Sequence, residues 1–370
     1  MNKRDILKKL MEIRSRDKFF EGGRVLSSVS TKPLEISLEA YRIFSDVNAL
    51  DRYIFPNVDI LEREVIEWFG KVLKNEDISG YITTGGTEAN ISALWVAKKM
   101  YPERRKILVP KSAHYSIIKA ADMMGLDIIW IPLDNKFKAD VRKIKEKISE
   151  EILAVVVTAG TSALGVIDPI ERINRLCDNV FLHVDAAFAG FILPFMEGVE
   201  RIDFELENID SITIDPHKMG FAPIPSGCIL FRDKSYMRNI EITPAYLPFT
   251  TSTLVGSRSG GHIAATWATV KYFDIEGYRK EVKKCINNTR LLCKLLGGIK
   301  GIEILVKPEI NFVALRGERI VEIHKELIKR GWSIILDRDT MTMRVVVMPH
   351  VTRDVIRNFI SDLREITQEY

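Results

Sequence analysis

Cysteine is scarce in this chain: 370 residues hold four thiols (Cys177, Cys228, Cys285 and Cys293), with no CxxC pair and no histidine at ligand spacing beside them. That excludes a disulfide-stapled scaffold and a zinc module, so reduced, mostly buried thiols are expected and no metal. Long apolar runs are also missing, which excludes a helical membrane span. Residues 1–10 mix charge signs and lack an apolar core of signal-peptide length, so a cytoplasmic protein is expected. Neither charge sign dominates. The 54 Lys and Arg against 50 Asp and Glu leave a net charge of +4, interspersed along the chain, which gives no footprint for nucleic acid. Internal repeats and low-complexity tracts are absent too. What remains is a globular chain long enough for a large core and a second, smaller lobe.

The first 45 or so residues read as an amphipathic helix followed by an irregular arm containing Gly22, Gly23 and Pro33. An arm this polar buries little by itself and is expected to drape over another surface, such as a second subunit. From residue 58 a helical period appears (Ile60, Leu61, Val65, Trp68, Phe69, Leu73), and then an alternation begins. Short apolar runs at 80–84, 107–109, 128–131, 153–158, 181–184, 211–214 and 227–231 are separated mostly by helical segments. This pattern predicts an α/β fold with one mainly parallel seven-stranded sheet covered on both faces, its last strand antiparallel. A loop rich in Thr and Ser follows Pro244, then a long helix from about His262 to Phe273. The last hundred residues read as a small α+β lobe. The expected divisions are residues 1–50, 51–268 and 269–370.

Three stretches carry chemistry. Ser211 to Ile214 reads as a buried strand that stops at Asp215-Pro216, which sets Lys218 just past a strand's carboxyl end, where ligands bind in open α/β sheets. Among Met219, Phe221 and Ala222, its amine could act as a nucleophile toward a carbonyl; an ordinary solvated loop lysine is the alternative. Thr83-Thr-Gly-Gly-Thr-Glu-Ala-Asn90 ends another strand, and Gly85, Gly86 and Thr87 form a candidate phosphate cup or a tight turn capped by Thr87. In Phe181-Leu-His-Val-Asp-Ala-Ala187, alternation places His183, Asp185 and Ala187 on one face. A strand-end aspartate there needs a partner, either a protonated ring nitrogen or the next helix. Together the cup, the acid and the lysine are the three handles that hold pyridoxal 5′-phosphate.

With Thr158-Ala-Gly-Thr161, Gly165 and Asp168, these motifs resemble the group II pyridoxal-phosphate-dependent amino acid decarboxylases, which have the aspartate-aminotransferase fold (fold type I). The likeness runs over nearly the whole chain. It is closest to the archaeal L-aspartate/L-tyrosine decarboxylases through Gly23-Arg24, Thr31-Lys-Pro33, Phe55-Pro56, Leu61-Glu-Arg-Glu-Val65, Ala222-Pro-Ile-Pro225 and Val347-Met-Pro-His-Val-Thr352. The resemblance implies that Lys218 bonds to the cofactor aldehyde and that Asp185 pairs with the ring nitrogen. It places His114 and Ala187 on opposite ring faces, Thr87 and His217 near the phosphate, and Thr161 by the ring edge. It further implies a homodimer with shared sites, in which Ser257 or Arg258 serves the neighbour's phosphate, and it assigns Arg344 to a substrate carboxylate.

The reaction so implied is α-decarboxylation, with Asp185 keeping the ring nitrogen protonated and Tyr246, on a candidate lid at 243–249, or His114 delivering the proton to Cα. Aspartate, giving β-alanine, is the leading substrate, because Arg24, Arg52 and Arg258 could hold a second carboxylate; tyrosine and glutamate are alternatives. The segment Gly256-Ser-Arg-Ser-Gly-Gly261 also resembles sphingosine-phosphate lyases, a carbon–carbon lyase reading. A non-catalytic cofactor-binding protein is the reading of another class, opposed by the presence of both Lys218 and Asp185. The stretch Asn48-Ala-Leu-Asp-Arg-Tyr53 stands where the family pattern has a Gly-rich turn.

Overall fold

The structure, a computed structural model, describes residues 1–368. Its helices are α1 (Lys3–Arg14), α2 (Glu35–Ile43), α3 (Val58–Val72), α4 (Gly86–Met100), α5 (Tyr115–Met124), α6 (Val141–Lys147), α7 (Ile170–Asn174), α8 (Lys234–Arg238), α9 (Gly260–Leu296), α10 (Ile320–Lys329) and α11 (Arg353–Gln368). Its strands are β1 (Ser79–Thr83), β2 (Lys106–Pro110), β3 (Asp127–Ile131), β4 (Ile152–Thr158), β5 (Phe181–Asp185), β6 (Ile209–Ile214), β7 (Gly227–Phe231), β8 (Glu303–Ile304), β9 (Phe312–Arg316), β10 (Ile335–Asp337) and β11 (Thr342–Val346). Two compact units result: residues 32–283 with 308–310, and residues 1–31 with 284–307 and 311 onward.

The larger unit is built on a seven-stranded sheet of order β1-β7-β6-β5-β4-β2-β3. From β3 to β6 every pairing is parallel, and β7 lies antiparallel between β6 and β1. The seven runs expected from the sequence are these seven strands. All seven residues of β4 are buried, as a strand covered on both faces requires, and its Ile-Leu-Ala-Val-Val-Val run meets that need without a polar interruption. Leu94, Val96, Ile107, Val109, Val156 and Phe181 belong to one buried cluster under α4 and α5, each large side chain stabilising the fold by roughly 1.5–3 kcal/mol.

The smaller unit carries the antiparallel sheet β10-β11-β9-β8. Leu327, Trp332, Val345 and Phe359 are among the side chains of its own core. The arm belongs here. Leu26 N–H donates to Ser333 O at 2.9 Å, Val346 N–H to Leu26 O at 2.6 Å, and Ile335 N–H to Ser27 Oγ at 2.8 Å. Leu26 thus satisfies both of its backbone groups within the smaller unit, and residues 24–27 pack there rather than on a second subunit. In α1 none of the residues is buried.

Two further features differ from the sequence reading. The arm contains a helix, α2, and the expected boundary at 268/269 falls inside α9, which continues to Leu296 through a kink at Asp274 (φ 47°). The Asp274 carboxylate accepts a hydrogen bond from Trp68 Nε1 at 3.0 Å, which ties the kink to α3.

Candidate active site

The carboxyl ends of β1, β5 and β6 bring the three handles together. At the start of α4 the N-cap is Gly85, with φ 127° and no side-chain cap, so the first amide protons of the helix have no intrahelical acceptor. Thr87 is therefore not the cap, and the uncapped N-terminus is the anion-binding arrangement. Glu88 reaches back to take Thr84 N–H at 2.6 Å and the Thr84 hydroxyl at 2.7 Å, which fixes the turn from below. A methyl added at Gly86 would lie 3.0 Å from Asp215 Oδ2 and 3.1 Å from the Ala187 Cβ, so glycine keeps this floor open. His217 flanks the cup, its Cε1 standing 3.5 Å from where a Gly85 side chain would begin. Burial pushes the His217 imidazole below its ordinary range.

Lys218 follows β6 on the turn Asp215-Pro-His-Lys218, and its Nζ lies 2.9 Å from Asp215 Oδ2. Asp215 is 3% exposed, and its other oxygen has no partner. Asp185, at the end of β5, is 5% exposed and accepts from Ala187 N–H at 3.1 Å and from Asn90 Nδ2 at 2.9 Å. Its register mates on the neighbouring strands are Thr158 and Thr213, whose buried hydroxyls have no partner. His114 is the N-cap of α5 and accepts Ser116 N–H through Nδ1. Its pKa is lowered, chiefly by burial, with the charge of Asp185 partly opposing.

These residues fit pyridoxal phosphate. There are open helix-terminal amides for the phosphate, a glycine floor that a side chain would close, an acid at a strand end, and a lysine whose buried carboxylate neighbour keeps an unpaired oxygen.

Other expected residues lie elsewhere or are already engaged. Thr161 is 2% exposed, and its Oγ1 accepts Val166 N–H at 3.2 Å, closing the loop after β4. Asp168 is fully buried, takes Ala139 and Thr158 N–H at 2.8 Å each, and is pushed up to about 6 by burial, which makes it a brace for that loop. Ser257 is exposed, 3.5 Å from Asn48 Nδ2. Arg258 is buried and held by both oxygens of Glu62, at 2.5 and 3.0 Å, so its guanidinium is not free for a phosphate or a substrate carboxylate. Arg52 pairs with Asp59 at 3.0 Å. In the smaller unit Arg24 lies over the Trp332 ring, and Arg344 donates to Ser27 O at 3.3 Å. Tyr246 is 81% exposed on a loop closed by the Ile242–Thr251 bridge, outside the cluster of handles.

Residues 44–317 match the pyridoxal-dependent decarboxylase conserved domain. The chain belongs to that family. A protein of Methanocella arvoryzae named probable L-tyrosine/L-aspartate decarboxylase is 42% identical over 99% of this chain and 98% of its own length. One of Pyrococcus horikoshii named L-aspartate/L-glutamate decarboxylase is 37% identical over 98% and 97%. Among solved structures, the sphingosine-1-phosphate lyase of Burkholderia pseudomallei superposes with a TM-score of 0.92 at 26% identity, covering all of this chain and 91% of that one. The glutamate decarboxylase of Lactobacillus brevis superposes at 0.90 and 19% identity, covering 100% and 93%, a likeness of fold. This decarboxylase acts on an amino acid and uses pyridoxal phosphate. Among the described residues no helix is long and apolar enough to cross a membrane, and no group of His, Cys, Asp and Glu could hold a metal.

The sequence reading passed over Asn90, Ser116 and Asp215. Asn90 was in plain view as the last residue of the glycine motif, one helical turn past the cup and thus on the same side of α4. In the sequence Asp215 marks only the end of a strand.

Proposed function

We propose that this enzyme removes the α-carboxyl group of L-aspartate, giving β-alanine and carbon dioxide, and that it works as a homodimer. The observation that supports a decarboxylase site most strongly is the convergence of the α4 N-terminus, Asp185 and Lys218 at one sheet edge. Aspartate is favoured by the names of relatives that cover nearly the whole chain. When bound, pyridoxal phosphate supplies the electron sink for the bond that breaks. Asp185 would hold a proton at the ring nitrogen, Lys218 would hold the aldehyde, and the α4 amides with Thr87 and His217 would hold the phosphate. His114 and Ala187 would pack on the ring, Thr161 would lie near it, and Tyr246, brought in by its loop, would supply the proton to Cα. Arg344 is the residue proposed for a substrate carboxylate, and Ser257 the one for a neighbour's phosphate. The homodimer is supported by α1, whose Leu7, Leu10 and Met11 are 47%, 56% and 66% exposed and offer a second copy an apolar stripe.

The test is carbon dioxide release from a panel of L-amino acids, with sedimentation giving the oligomeric state. Release from aspartate with equimolar β-alanine is the expected result. Preferential release from tyrosine or glutamate would reassign the substrate. Cleavage of a phosphorylated amino alcohol without any decarboxylation would move the enzyme to the lyase reading, which the 26% identity to a sphingosine-1-phosphate lyase keeps in view.

A further inference from the structure

We propose that Asn90 is a positioning residue whose single buried amide orients Asp185 and, through the Ser116 hydroxyl, reinforces the His114 tautomer that carries its proton on Nε2. The inference rests on the proposed roles of Asp185 and His114, but not on which amino acid is decarboxylated.

Asn90 is 1% exposed, on α4 one turn beyond the phosphate cup. Its Nδ2 lies 2.9 Å from Asp185 Oδ2 and 2.8 Å from Ser116 Oγ, and its Oδ1 lies 2.9 Å from His183 Nε2. A carboxylate only accepts, so the amide must turn its nitrogen toward Asp185. Its oxygen then faces His183, which must donate from Nε2. His183 is 0% exposed, and burial drives its pKa down to about 4, so the ring is neutral and Nδ1 carries no proton. That bare nitrogen takes the Ser211 hydroxyl proton at 2.8 Å.

On the other side, Ser116 Oγ accepts the second Asn90 proton. Ser116 N–H aims at His114 Nδ1 from 3.3 Å and makes that nitrogen an acceptor, so the Ser116 hydroxyl proton turns to it as well, at 2.9 Å. Two donors on Nδ1 leave no room for a proton of its own, so a neutral His114 carries its proton on Nε2. The branch to Asp185 sets the directions from Ser211 through His183 and Asn90 to Ser116, and the Ser116 backbone N–H sets the last one, at His114. A buried network in which each member is satisfied is rigid, so the acid at the ring nitrogen and the imidazole over the ring are held by the same amide. His114 then acts as a hydrogen-bond donor and stacking surface, and the proton for Cα comes from another group.

The test uses the full chain carrying its cofactor, with ¹⁵N-labelled histidine read by NMR and His114 assigned through His114→Gln. The expected wild-type result is a neutral His114 protonated at Nε2. Asn90→Leu keeps the volume and removes all three hydrogen bonds. It should shift the His114 ¹⁵N signals, shift the pH midpoint of the cofactor's visible band, and lower kcat on the order of tenfold with less change in KM, below the loss seen when a direct donor to the reacting atoms is removed. Ser116→Ala removes the hydroxyl between Asn90 and His114 and keeps both the backbone N–H on His114 and the Asn90 bond to Asp185. It should change the His114 spectrum and leave the visible band unmoved, and it carries the test if Asn90→Leu does not fold. A wild-type His114 protonated on Nδ1, or variants whose His114 nitrogens match wild type, would overturn the proposal. Failure to decarboxylate aspartate would leave these spectra readable, so the two readings fail separately.

Discussion

The Nζ of Lys218 stands 2.9 Å from Oδ2 of Asp215, three residues earlier on the same turn, and the other oxygen of that buried carboxylate has no partner. If Lys218 bonds to the cofactor aldehyde, Asp215 is the group placed to take the proton that its amine must first lose.

Replacing Asp215 with Asn removes that acceptor and keeps the shape. Capture of added pyridoxal phosphate by cofactor-free enzyme, followed by the rise of its visible band, should slow by about 10²-fold, the lower end of what a positioned base contributes. Unchanged capture would assign Asp215 to packing alone.

Glu62 and Arg258 form a buried ion pair, and Glu62 also accepts Ile82 N–H at 2.8 Å. Glu62→Gln strands the guanidinium in a buried site and should cost about 3–5 kcal/mol in denaturant unfolding. Adding Arg258→Met to it should recover part of that loss, because the two sites are in contact and do not add.

His183 has an ordinary pKa near 6.5 and a folded value near 4, lowered first by burial. The unfolded chain therefore binds the proton more readily, and the stability that His183 contributes is complete above about pH 6.5 and is lost as pH falls toward 4. The stability difference between wild type and His183→Gln should shift against the wild type by about 3 kcal/mol across that window. Asp168 and Asp210, each pushed up to about 6 by burial, act with the opposite sign in both proteins and cancel in the comparison. A difference flat with pH would mean that His183 is protonated in the fold.

Tyr246 is exposed, so Tyr246→Phe should leave stability within about 0.5 kcal/mol of wild type. If its hydroxyl delivers the Cα proton, kcat should fall by about 10²-fold or more and by-products should appear. Normal turnover with β-alanine alone would remove Tyr246 from the mechanism.

Much of this arrangement was legible in the residues. Alternation in Phe181–Asp185 put His183 and Asp185 on one face, and the seven apolar runs are the seven strands, because a doubly covered sheet tolerates little polarity within a strand. The partner choices were not legible. Arg258 looked available for an anion, but which carboxylate meets it depends on α3 lying over β1, a tertiary fact that sets Glu62 against it. Asn90 joins Asp185, 95 residues away, and no local pattern announces such a contact. Residues 35–43, which follow the polar arm directly, form α2 with Ser37 buried.

The most direct test of the site is to load the enzyme with pyridoxal phosphate, reduce it with borohydride, and map the modified peptide by mass spectrometry. The account expects the pyridoxyl group on Lys218 and its loss in Lys218→Ala. A stoichiometric label on any other lysine would contradict it.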